Sequence, residues 1–167
     1  HTDFGAMLME HYWLDHYFRD DRASRVMSAD ANIYPFWYGV IDDMQLQELA
    51  LAAMRHARLD KPFPVKYVSS RQYKGRSIAV ESLVSNWQSD ALWPMSGLPF
   101  IDLTADVDEV RAKDYLLQYK SLIEEHGTFI EVFDREGKPY RSGFYSADEG
   151  MIWCAQYLTL AKRFGIR

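Results

Sequence analysis

Residues 107 to 126 place Ala112, Tyr115, Leu116, Tyr119, Leu122 and Ile123 three and four apart, the spacing that puts side chains on one helix face. A stripe of that kind is stable only against a second layer of structure, so the chain has to build helix on helix. Asp106 and Glu109 read as a capping box at the start of this helix, and Gly127 as the residue that ends it. Residues 43 to 57 repeat the pattern with Leu46, Leu49, Ala50, Ala53, Met54 and Ala57, and Asp42 or Asp43 can cap them. Met9, Tyr12, Trp13 and Tyr17, widened by Leu14 and Phe18, predict a helix over residues 6 to 19 that ends at Asp20-Asp21-Arg22.

Between these helices the chain reads as long aromatic loops. Residues 29 to 40 run Ala-Asp-Ala-Asn-Ile-Tyr-Pro-Phe-Trp-Tyr-Gly-Val, a loop around Pro35 and Gly39 that is too apolar to be a plain solvated connection. Pro62-Phe63-Pro64 interrupts the helical pattern. Weak strand character follows at 65–68 and 78–84, broken by Arg71, Gly75 and Arg76. A loop of this length inside one domain is usually functional. Leu92-Trp93-Pro94 closes it and opens a short helix from about Pro94 to Leu103.

The segment from Phe129 to Trp153 combines two kinds of structure. Phe129, Ile130, Val132 and Phe133 surround one acid, Glu131, ahead of a turn at Asp134-Arg135-Glu136-Gly137. Ser146 and Glu149 then read as a second capping box, opening a final helix over 147–164 that ends at Gly165. Its apolar run, with Met151, Ile152 and Trp153, predicts an inner helix. An acid on a loop, clamped by a rigid element, is a common arrangement for a catalytic carboxylate.

Bulk properties remove several function classes. At 167 residues the chain is one domain's worth, with 48% hydrophobic residues and a net charge of −5, so a globular, water-soluble fold is expected. The acidic balance without a basic stripe argues against nucleic acid. No run of eighteen apolar residues is present, so no helical membrane span is expected. The single cysteine, Cys154, cannot pair within the chain and reads as a buried thiol, which fits a cytoplasmic setting. His11 and His16 are five apart rather than four, and no cysteine or carboxylate cluster completes a site, so neither a metal nor a cofactor is expected. The chain opens at His1 without a methionine, which reads as a piece of something longer.

Three stretches carry a resemblance. Glu131-Val-Phe-Asp134-Arg-Glu-Gly137 followed by Ile152-Trp153-Cys-Ala155, the earlier Asn32-Ile-Tyr-Pro35-Phe36-Trp37-Tyr-Gly39, and Leu92-Trp93-Pro94 resemble the C-terminal part of an α/α-barrel glycoside hydrolase of the glucoamylase-like, trehalase-like or glucosidase-like kind. The resemblance implies a mainly α fold of helical hairpins belonging to a six-hairpin toroid. Residues 1–167 would form one helical domain, the C-terminal portion of a larger catalytic domain. It also implies that Glu131 is the general base of an inverting reaction, facing a general acid about 6.5–9.5 Å away. That acid would lie upstream of His1, since no second acid here matches the family's motif.

Trp37, Tyr38, Trp93 and Phe133, with Phe129, would then offer apolar surface to a sugar face, and Arg71 would bind its hydroxyls. Each has a simpler reading: core packing for the aromatics, a surface arginine for Arg71, a solvated acid for Glu131. The expected partners are a carbohydrate substrate and another polypeptide or the rest of the same barrel, with neither nucleic acid nor membrane. A helical carbohydrate-binding or protein-interaction module without a catalytic pair is the alternative.

Overall fold

The computed structural model describes residues 3–68, 77–87 and 89–166. Its helices are α1 (Phe4–Tyr12), α2 (Ala29–Trp37), α3 (Met44–His56), α4 (Ile78–Leu83), α5 (Pro94–Val107), α6 (Glu109–His126) and α7 (Cys154–Arg163). Among the described residues, extended backbone is confined to isolated bridges between loops. The chain is therefore mainly helical. No helix of the described residues is long and apolar enough to cross a membrane.

The fold is organised around α5, whose Leu98, Phe100 and Ile101 are fully buried and which touches α2, α3, α6 and α7. Named contacts fix the directions. Asp30 at the start of α2 meets Ser96 at the start of α5, and Trp37 at its end meets Asp102 further along. Those two helices run parallel. Trp153, just before α7, meets Tyr119 of α6, while Arg163 at its far end meets Asp106, just ahead of the start of α6, which sets α7 antiparallel to α6. Phe100 packs on Tyr115 at 5.8 Å while Gly97 faces Tyr119, so α6 also runs against α5. On the other side Gln47 Nε2 of α3 donates to the Leu103 carbonyl at 3.1 Å. The result is a row of parallel helices, α2, α5 and α7, with α6 running the other way and α3 packed on α2 and α5.

Local chemistry explains the boundaries. The Asp43 carboxylate accepts from the Gln45 and Leu46 amides at 2.9 and 3.1 Å, so α3 starts where its cap was expected. Gly127, at φ 68°, ends α6 in the left-handed conformation a glycine adopts without steric cost. The cap of α6 differs from the expected box: Asp108, not Asp106, accepts from the Arg111 amide at 3.0 Å. Asp106 belongs to α5, which runs past Leu103 to Val107.

Several expectations are corrected. First, the helix expected over 6–19 stops at Tyr12. Trp13 turns extended, Asp15 takes φ 61°, and Trp13 bridges to Phe18 with their rings 4.8 Å apart. Of the stripe residues beyond Tyr12, Trp13 and Phe18 reach the core, through a turn instead. Second, residues 29–37 are not a loop but α2, capped by Ser28 at the Ala31 amide, 3.4 Å. Pro35, in the last turn, costs the helix one internal hydrogen bond, the one to the Ala31 carbonyl. Likewise 78–83 is the short helix α4 rather than strand.

Third, the last helix begins at Cys154, not 147. The Ala147 and Met151 amides donate to the Tyr140 and Phe129 carbonyls, and the Asp148 carbonyl accepts from the Glu131 amide. Backbone groups that a helix would use internally are committed to the 129–140 loop. Helix α7 is also amphipathic rather than apolar all round: Tyr157, Leu160 and Ala161 are buried while Leu158 is 59% exposed. Cys154 is half-buried.

One buried polar residue ties α2 to the segment before it. Asn32, fully buried, accepts from the Phe18 amide at 2.7 Å and donates to the Phe18 and Ser28 carbonyls at 2.8 and 2.9 Å. Asn32→Ala is expected to leave the Phe18 amide unpaired and to lower unfolding stability by about 2 kcal/mol, measured by urea denaturation.

Candidate functional site

The loop carrying Glu131 is held by a short antiparallel exchange. Leu92 and Phe133 trade both backbone hydrogen bonds, at 2.8 and 2.9 Å. This fixes the start of α5 beside the 129–133 loop. Tyr140 donates its amide to the Val132 carbonyl at 3.0 Å, closing the turn after Asp134. Glu131 lies between buried Ile130 and Val132 and points the other way. It is half-buried. With Trp93, Met95, Met151, Ile152 and Trp153 it lines a small pocket of about 50 Å³.

The Glu131 carboxylate is clamped on one oxygen. Oε2 accepts from the Tyr145 hydroxyl and, at 3.2 Å, from the Asp148 amide. Burial, and then the bond to Glu131, raise the Tyr145 phenol well above its usual range, so Tyr145 stays protonated and remains the donor. Two hydrogen bonds to the same oxygen restrain the carboxylate's rotation. Tyr145 is itself packed: Trp87 lies edge-on to it at 5.9 Å and to Trp93 at 4.8 Å.

The pocket opens into a groove. Met95, Ile152 and Trp153 are shared with an open depression of about 560 Å³, which continues past Ala155, Gln156 and Thr159 to Trp37, Asp102 and Arg163. Its far end is polar and fixed. Trp37 Nε1 donates to Asp102 Oδ2 at 3.2 Å, and Arg163 donates to Oδ1 at 3.1 Å. The groove therefore runs along the parallel row, from the N-terminal ends of α5 and α7 toward their C-terminal ends.

Of the residues singled out in the sequence, Glu131 and Trp93 share the pocket, and Trp37 lines the same groove further along. Tyr38 caps α2 and is 69% exposed, stacked on Tyr34 at 5.6 Å; it is not among the groove-lining residues. Phe133 is corrected. At 2% exposure, packed edge-on against Phe63 at 5.1 Å, it belongs to the core and offers no surface to a ligand. Arg71 lies outside the described residues.

Sequence reasoning missed Tyr145, whose role depends on a contact fourteen residues from Glu131, and the Asp102–Arg163 pair, sixty-one residues apart. No local spacing announces either. Among the described residues no three His, Cys, Asp or Glu side chains gather as a metal site. A comparison of the sequence with protein families and with curated proteins finds no match.

Proposed function

We propose that this chain is the C-terminal part of an α/α-barrel glycoside hydrolase that cleaves a glucoside-like bond with inversion, with Glu131 as the general base. The observation that carries the reading is the clamped Glu131 carboxylate, set in a pocket walled by Trp93 and Trp153 at the N-terminal end of the parallel helix row. A base in this reaction takes a proton from water as the water oxygen bonds to the anomeric carbon. The bond to the leaving oxygen breaks, and that oxygen is protonated by an acid elsewhere in the enzyme. With Oε2 occupied by Tyr145 and the Asp148 amide, the other oxygen is the one left for water. Apolar walls suit the face of a sugar ring.

The parallel row also supports membership of a hairpin toroid, in which inner helices run parallel and outer ones return. In that reading α7 lies at an open flank. Ile152 is 83% exposed and Met95 55% exposed, and an apolar patch of this kind is commonly covered by another surface. The rest of the barrel, or another polypeptide, would cover it. The same flank favours a second reading, a helical interaction module; it requires a stable complex with another protein chain and no sugar binding.

Turnover of glucosides by the native gene product that carries this chain, wild type against E131Q, tests the enzyme reading. A subtler variant tests the clamp. Tyr145→Phe removes one of the two donors on Oε2, and kcat is expected to fall about tenfold, the equivalent of about 1.4 kcal/mol, with KM little changed. Steady-state kinetics measure both parameters.

A further inference from the structure

A basic depression lies where two loops meet. Arg58, Lys61 and Lys66, from the segment after α3, and Arg135, from the turn after Phe133, line an open space of about 540 Å³ with Ala57 and Pro62. None of these residues lines the Glu131 pocket or the groove. Both loops are held from within. The Lys66 amide donates to the Leu59 carbonyl at 2.8 Å, and Arg58 takes φ 61° as the chain turns out of α3. In the other loop the Asp134 carboxylate accepts from the Glu136 and Lys138 amides at 3.0 and 2.9 Å. The two loops also touch: a methyl group added at Gly137 would lie 3.2 Å from Phe63 and 3.3 Å from Pro62.

Four of the six lining residues are cations and none is an acid, in a chain whose net charge is −5. Cations gathered in one place repel each other, and an anion among them relieves the repulsion. The acids nearby do this only in part. Asp60 stands 3.5 Å from Lys61, but it is buried and already accepts from the Tyr115 hydroxyl. Glu136 engages Arg135 through Nε alone. Burial raises the Asp90 carboxyl above its usual range, and the charge of Lys66 opposes that rise. Among the described residues neither Arg58 nor Lys66 forms an ion pair. The macrodipole of α3 does not account for the cluster. Arg55 and His56 already fill its last turn, and Lys66 and Arg135 lie well beyond it.

We propose that this depression binds a small anion carrying phosphate, a diphosphate or a phosphate monoester, among Arg58, Lys61, Lys66 and Arg135. Guanidinium forks suit paired contacts to phosphate oxygens, and the lysines add point charges. The volume is that of a small-molecule site. The positive charge is gathered in one depression rather than drawn out along a stripe, which favours a small anion over nucleic acid. The site stands apart from the Glu131 pocket and does not depend on the glycosidase reading.

The test is calorimetric titration of the native gene product with pyrophosphate, inorganic phosphate and glucose 6-phosphate at low salt. Wild type is compared with R58Q, K66Q, R135Q and K113Q, each with a thermal melt. K113Q removes an exposed cation of α6 outside the depression and controls for diffuse charge. Wild type is expected to bind at least one of the three saturably, and the tightest of them identifies whether the phosphate is free or carried on a sugar. R58Q and K66Q are each expected to weaken that binding by about tenfold or more, and K113Q by less than about twofold. The bound anion is expected to raise the melting temperature of wild type and to leave that of the R58Q/K66Q double variant unchanged. If R58Q or K66Q fails to fold, R135Q is held to the same tenfold criterion. Equal weakening by K113Q, or binding by folded R58Q and K66Q within about twofold of wild type, overturns the site. So does the absence of saturable binding in folded wild-type protein, including the case in which it binds phosphatidylglycerol vesicles but none of the three small anions.

Discussion

Glu131→Gln lowers the turnover of a glucoside by the native gene product about a hundredfold to ten-thousandfold, while substrate binding and the melting temperature stay near wild type. The magnitude is that of a lost general base. Glutamine keeps the shape of the side chain and an oxygen able to accept from Tyr145 and from the Asp148 amide, so the pocket should hold its form. What it cannot do is take a proton from water. Parallel loss of kcat and kcat/KM, with KM steady, is the expected kinetic pattern, because the interaction removed is made in the transition state. Steady-state kinetics beside a thermal melt separate this outcome from misfolding. A variant that turns over at the wild-type rate would make Glu131 a structural acid whose role ends at Tyr145.

Gly97→Ala is expected to be the most destabilising small substitution in the chain. Gly97 sits in α5 where the helix passes closest to residues 62–65. A methyl group there would lie 2.6 Å from the Pro64 carbonyl oxygen and closer still to the Tyr119 hydroxyl. Neither neighbour can yield easily. Tyr119 is fully buried and donates its hydroxyl to that same carbonyl, and its ring is braced by Phe63 at 5.6 Å and Trp153 at 5.6 Å. Relief requires α5 to move away from α6 and from the 62–65 turn together. The expected cost is on the order of 3 kcal/mol or more, against the gain of about 1 kcal/mol that alanine normally brings inside a helix. Chemical denaturation measures it. Tolerance of alanine there would mean that α5 packs more loosely than these contacts require.

Helix α3 and the end of α6 were legible because their signals are local: an apolar stripe, Asp43 as cap, Gly127 as stop. The segments read less well are those whose fate is decided by distant partners. Residues 29–37 look like a loop because Pro35 and Gly39 punctuate them, yet Ser28 caps the helix and Asn32 anchors it to Phe18, fourteen residues away. Ser146 and Glu149 have the spacing of a capping box, but the backbone there pairs with the Glu131 loop, and the helix waits until Cys154. At the site, the acid between aromatics marked Glu131, and Trp93 and Trp37 fall on the same continuous surface. Phe133 was indistinguishable from a sugar platform in sequence. Only its burial against Phe63 shows that it faces the core.

Proton NMR of the native gene product acting on α- and β-D-glucosyl fluoride tests the central claim most directly, because fluoride leaves with little acid assistance and the first sugar anomer released reports the stereochemistry. The account expects wild-type enzyme to release the anomer opposite to that of the fluoride it hydrolyses, and E131Q to release almost none. Release of the retained anomer, or equal hydrolysis by E131Q, contradicts a general base at Glu131.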